Sequence, residues 1–167
     1  KINYFKKIYL FDNDKKNLDK IKKSFEKKKL NSDLNFIFDL KEIPLNLDFL
    51  ILSTTSKDRL KILKKIIANS KVKFAILEKV LGQSLYQLNE FNKISIKNKN
   101  FFVSTLKKKE LIFINLKKRI KNKDIKKIYL TGNNWNLSCN AIHFIDLFEY
   151  LLDHKIIKTN FVKEGNW

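Results

Sequence analysis

The chain has 167 residues, enough to bury the core of one domain or parts of two. An apolar content of 44% with 14 phenylalanines excludes a disordered chain, and no apolar run reaches membrane-spanning length. The formal net charge of +19 invites a nucleic-acid reading, yet Arg59 and Arg119 are the only arginines, and arginine is the side chain that reads bases bidentately. Solvated lysine on helix faces is therefore favoured over a basic nucleic-acid-binding module.

Cysteine and histidine are scarce. The lone Cys139 leaves no internal disulfide and fits a reducing, cytoplasmic setting. With only His143 and His154 beside it, a structural zinc site is not expected. The sequence contains no methionine and opens on Lys1 without a charged-then-apolar leader. The expectation is a chain whose true start has been lost.

In chain order, Lys7 to Asp12 (KIYLFD) reads as a buried strand. Asp14 then starts a helix with Leu18, Ile21 and Phe25 on one face and lysines on the other. Leu34 to Phe38 reads as a short strand, and Pro44 marks a connector because it cannot continue a helix. Asp48 to Ser53 (DFLILS) is the clearest buried strand. Thr54, Thr55 and Ser56 follow as a turn and N-cap, before a helix that turns Leu60, Leu63, Ile66 and Ile67 inward.

Phe74 to Leu77 is a further strand, ending at the adjacent acid and lysine Glu78 and Lys79, and a helix follows from about Gln83. Phe101 to Thr105 is strand-like, Glu110 to Ile120 helical, Lys127 to Leu130 a strand, Ala141 to Leu152 an apolar helix, and Lys155 to Val162 extended. Strand and helix alternate through the first hundred or so residues. That predicts an α/β fold with a parallel sheet and helices on both faces.

Two strings carry chemistry. ILEKVLGQS (Ile76 to Ser84) puts Glu78-Lys79 at the end of an apolar strand, and CNAIHFIDL (Cys139 to Leu147) puts His143 and Asp146 at the start of an apolar helix. Their order and spacing resemble the two signature segments of the Gfo/Idh/MocA family, the nicotinamide-dependent sugar oxidoreductases. The resemblance runs over nearly the whole chain and implies two parts. Residues 1–106 would be a partial NAD(P)-binding Rossmann domain, with the first strand and its glycine-rich turn missing. Residues 107–167 would begin a second α+β domain for substrate and oligomerisation.

Residue by residue, the resemblance implies the following roles. Asp12, at the end of its strand, would hold the adenosine ribose, and such an acid repels a 2′-phosphate, favouring NAD over NADP. A turn carboxylate opening the helix with Asp14 explains Asp12 without any ligand. Ser53, Thr54 and Thr55 would line the cofactor where the family has Ala-Thr-Pro, and Arg59 stands where its histidine is usual. Glu78-Lys79-Val80 matches the family's Glu-Lys-Pro, with the usually cis proline replaced by Val80, before which a cis bond is costly. Lys79 would stabilise a developing alkoxide.

His143 would be the general base, since imidazole titrates near neutrality. The family's acid four residues earlier is Cys139 here. Trp135, Cys139, Asn140 and His143 keep a Trp-x-x-x-Cys-Asn-x-x-His spacing similar to members near polysaccharide and sugar-nucleotide pathways. Lys107, Lys108, Trp135 and Asn140 are candidate substrate contacts; solvated lysine and core packing are the plain alternatives. The implied partners are a sugar or sugar nucleotide and further copies of the chain, with no membrane. The 167 residues alone are expected to be inactive. A non-catalytic relative of the same fold is the other reading of Val80 and Cys139.

Overall fold

The computed structural model describes residues 5–26, 32–125, 127–131 and 137–156. Among the described residues, five strands and three α-helices make up the stretch to β5, and two further α-helices follow. β1 (Lys7–Phe11) leads through α1 (Lys15–Glu26) to β2 (Asp33–Ile37), and β3 (Asn46–Leu52) through α2 (Ser56–Asn69) to β4 (Lys71–Leu77). α3 (Leu85–Lys97) then leads to β5 (Phe101–Val103), followed by α4 (Leu111–Ile120) and α5 (Leu137–Leu152). All strand pairing is parallel, and each parallel pair is joined by a helical crossover, as parallel geometry requires.

The described strands form two sheets, one of two strands and one of three. β1 pairs β2 from Lys7↔Asp33 to Phe11↔Ile37. β3, β4 and β5 form the second sheet, with β4 in the middle. The link between the sheets is tightly turned. Asp39 caps a 3₁₀ turn at Leu40–Glu42, and the Glu42 carboxylate accepts the N–H groups of Phe38 (3.0 Å) and Asp39 (2.8 Å).

The core sits between the second sheet and its helices. Leu52, Ala75 and Leu77 point inward from β3 and β4, Leu60, Leu63 and Ile66 from α2, and Phe91 from α3. Their spacing is two along the strands and three along α2, the periods that place residues on one face. The expected inward face of α2 is thus present. On α1, Leu18 is buried while Ile21 and Phe25 are half-buried.

Beyond β5 the described elements are helical. A 3₁₀ turn at Lys107–Lys109 leads into α4, which packs on α5, whose Leu147 and Leu151 are buried one turn apart. The Lys117 ammonium ties α4 to α5. It donates to the Tyr150 carbonyl (2.6 Å) and the Asp153 carboxylate, and lies 4.3 Å from the Tyr150 ring centre. Asn122 (φ 67°) and Asp153 (φ 55°) take the left-handed conformation just past α4 and α5.

Several local expectations shift. Ser56 is the first residue of α2 rather than its cap, and Thr55 flanks it. The helix expected from about Gln83 starts at Leu85, capped by Ser84, whose hydroxyl accepts the Gln87 N–H at 3.2 Å. α5 begins four residues before Ala141, so Cys139 and Asn140 are helical. Lys127 to Leu130 is not a strand: no described strand pairs with it, and Tyr129 is 79% exposed. Trp135 and the extended stretch expected from Lys155 lie outside the described residues, apart from Lys155 and Ile156. No described helix is long and apolar enough to cross a membrane.

Candidate active site

The carboxyl ends of β3 and β4 lie side by side, because Leu52 pairs Leu77 in register. Ser53-Thr54-Thr55 leaves one end and Glu78-Lys79-Val80 the other, so the parallel ladder brings two distant segments to one edge. The Glu78 N–H donates to the Leu52 carbonyl at 3.0 Å and closes that edge. Parallel α/β sheets bind ligands at this edge.

Lys79 is held through its backbone and reaches outward with its side chain. Its N–H donates to Glu78 Oε1 at 3.0 Å, and the Lys79–Val80 peptide is cis. Its ammonium donates to the Cys139 carbonyl at 3.0 Å, in the first turn of α5. His143 stands one helical turn further along α5. The structure therefore brings the two sequence strings to one place.

Four side-chain atoms of these segments are buried without a hydrogen-bond partner: Thr54 Oγ1, Arg59 Nε, His143 Nδ1 and Asp146 Oδ2. Buried polar groups are normally paired, so such atoms call for a partner, an ordered water or a ligand atom. Asp146 Oδ1 accepts the Lys108 ammonium at 2.8 Å, while Lys107 sits 5.0 Å from the Phe144 ring centre. Both expected substrate lysines thus lie against the helix that carries His143. Asn140 is half-buried in its first turn, and Cys139 is exposed and in no disulfide.

Asp12 stands apart from this edge, just past β1. Its Oδ1 accepts the Asp14 N–H at 2.8 Å, which makes it an Asx turn opening α1. Ser53 and Thr55 are exposed.

One residue of the site was legible only as a substitution. Arg59 is 2% exposed, and its guanidinium donates to the carbonyls of Thr54, Val80 and Leu81. Burial lowers its pKa from the ordinary arginine value, and the nearby Glu78 carboxylate opposes that shift. The available signal was position. Arg59 falls four residues before Leu63 and seven before Ile66, on the buried face of α2, in a chain that elsewhere uses lysine.

No protein-family model and no curated protein matches the chain. Solved structures do. Myo-inositol dehydrogenase from Lactobacillus casei, in complex with NAD(H) and myo-inositol, superposes with a TM-score of 0.64 at 17% identity, over 87% of this chain and 46% of its own. A probable dehydrogenase from Thermotoga maritima gives 0.64 at 13% identity, over 89% and 48%. The transcriptional regulator Gal80p from Kluyveromyces lactis gives 0.64 at 17%, over 86% and 43%. The chain has the Rossmann-like α/β fold of these proteins and spans less than half the length of each.

Proposed function

We propose that the chain is part of a nicotinamide-dependent oxidoreductase acting on a sugar or sugar-nucleotide hydroxyl. The observation that carries this is the bond from the Lys79 ammonium to the Cys139 carbonyl, which brings a strand-end acid–lysine pair to the helix of His143. The fold shared with an NAD(H)-bound inositol dehydrogenase supports it. The two signature strings favour the Gfo/Idh/MocA family, its polysaccharide or sugar-nucleotide branch, and a chain cut at both ends, with a domain boundary near Lys107.

The residues fit the nicotinamide end of such a cofactor. Thr54 Oγ1 is a buried hydroxyl without a partner at the sheet edge, with Lys79 on the neighbouring strand end. Ser53, Thr55 and Glu78 flank the same edge. Asp12, its carboxylate fixed at a strand end by the Asp14 N–H, is proposed for the ribose and with it NAD over NADP. When bound, the cofactor supplies the hydride acceptor.

The chain's own groups handle the proton and the charge. His143 accepts the hydroxyl proton as the carbonyl forms, its unpartnered Nδ1 being one of two nitrogens able to take it. The Lys79 ammonium stabilises the negative charge developing on that oxygen. Asn140, Lys107, Lys108 and Trp135 are proposed to contact substrate.

A titration of the ¹⁵N-labelled chain with NADH, followed by myo-inositol as a polyol probe, tests this. Shifts centred on Thr54, Lys79 and His143 are expected; a response centred on other residues, or no response from a longer form that carries the glycine-rich turn, would reject the reading. A second reading is a non-catalytic relative, favoured by Cys139 in the place of an acid and by a fold shared with a transcriptional regulator. It predicts NADH or sugar binding with no turnover from any longer form of the protein.

A further inference from the structure

We infer that Arg59 is a positioning residue for the proposed site: its guanidinium fastens the turn after β3 to the turn after β4 and so sets where Lys79 stands. This rests on the role proposed for Lys79.

The cation is fully inside the protein, 2% exposed, on the face of α2 that also buries Leu63 and Ile66. A buried charge is costly unless it is hydrogen-bonded, so its partners reveal what holds it there. They are three backbone carbonyls from two different turns. The carbonyl of Thr54 belongs to the turn after β3; those of Val80 and of Leu81, the latter at 3.4 Å, belong to the turn after β4. A guanidinium presents its N–H groups in a rigid, planar fork and can hold separate acceptors at once, whereas an ammonium is a point donor on a flexible stem.

Lys79 is thereby held from both sides. Its own N–H is held by Glu78 Oε1 at 3.0 Å, and the next carbonyl along the chain, that of Val80, is held by Arg59. The Glu78 carboxylate also acts electrostatically on the buried guanidinium, so one acid serves both Lys79 and Arg59. With its backbone fixed, the Lys79 side chain reaches the Cys139 carbonyl. The hydrogen bonds from its Nη1 and Nη2 all go to carbonyls of the two turns, so it acts through Lys79 and Thr54.

The test uses the full ¹⁵N-labelled chain, with Arg59→Lys and Arg59→Ala. Arg59→Ala is examined alone, with guanidinium well below denaturing concentration, and with ammonium as the control ion. Both variants are expected to keep the amide spectrum of the remaining fold while the amides of Thr55, Leu81 and Gly82 move. Guanidinium should return those amides in Arg59→Ala, and ammonium should not. The NADH response at Lys79 should weaken by about tenfold or more, since small displacements of a reacting group are costly.

Native turn amides in Arg59→Ala, or an Arg59→Lys spectrum that superposes on the native one, would overturn the inference. So would general loss of amide dispersion in both variants that guanidinium does not reverse, which would make Arg59 a support of the core at large. If the NADH response of the native chain centres on residues other than Thr54, Lys79 and His143, or a longer form that carries the glycine-rich turn shows none, the oxidoreductase reading falls. The amide positions then still decide the role of Arg59.

Discussion

The Lys79 ammonium and the Cys139 carbonyl meet at 3.0 Å although 60 residues separate them in sequence. One lies past the end of β4 and the other in the first turn of α5, so this bond spans the sheet edge and the helical segment that follows it. A lysine in contact with a helical carbonyl is engaged yet replaceable, because a ligand oxygen can take over the same donor.

Lys79→Met should therefore separate chemistry from stability. A single exposed hydrogen bond contributes about 1 kcal/mol, so the urea midpoint should move little. The NADH and polyol responses at His143 should largely disappear. A variant that binds both probes like the native chain would remove Lys79 from the site.

Glu90 offers a pH-dependent test away from the site. Its carboxylate sits between Lys64 at 2.5 Å and Lys93 at 2.8 Å, and these hydrogen bonds hold its pKa down at about 2, against an ordinary 4.5. A depressed carboxylate stabilises the fold above its ordinary pKa, and that contribution is lost as pH falls through the folded value. Native chain and Glu90→Gln should differ in melting temperature at neutral pH and converge between pH 4.5 and about 2. A difference that persists unchanged to the acid end would mean that Glu90 acts through packing instead.

The first half of the fold was legible because its signals are local. The apolar runs before Asp12, Ser53 and Glu78 are short and end in turn residues, and α2 buries Leu60, Leu63 and Ile66 at helical spacing. The division into two sheets was legible only through the family resemblance, which implies an absent first strand and with it a gap in the centre of the sheet; period alone does not say which edges pair. Lys127 to Leu130 has the composition of a strand, but a strand needs a partner, and none of the described strands pairs with it. Lys79 and His143 stood out as residue types at fixed spacing. The role of Arg59 did not, because its acceptors are backbone carbonyls and every residue has one.

Lys108 and Asp146 make a partly buried pair at 2.8 Å, with side chains 33% and 23% exposed. Removing only the lysine leaves a carboxylate whose other oxygen is already buried without a partner. The double variant Lys108→Ala/Asp146→Ala should thus destabilise less than the sum of the two single variants. A coupling of about 1 kcal/mol in a double-mutant cycle is expected. A coupling near zero would leave Lys108 available to a substrate.

Cys139→Asp bears on both functional readings. It puts a carboxylate on α5 four residues before His143, at the residue whose carbonyl already receives Lys79. A carboxylate there attracts the ammonium and competes with a substrate oxygen for it. If Cys139 and Asn140 form a dedicated variant site, the substitution should weaken the polyol response at Lys79 and His143, and in a longer active form it should lower turnover. If the acid has simply decayed from a once-active site, the same substitution should raise the response or restore turnover. The measurement is the NADH and myo-inositol titration repeated on Cys139→Asp. A loss favours the oxidoreductase with its own sugar specificity, and a gain favours the non-catalytic relative.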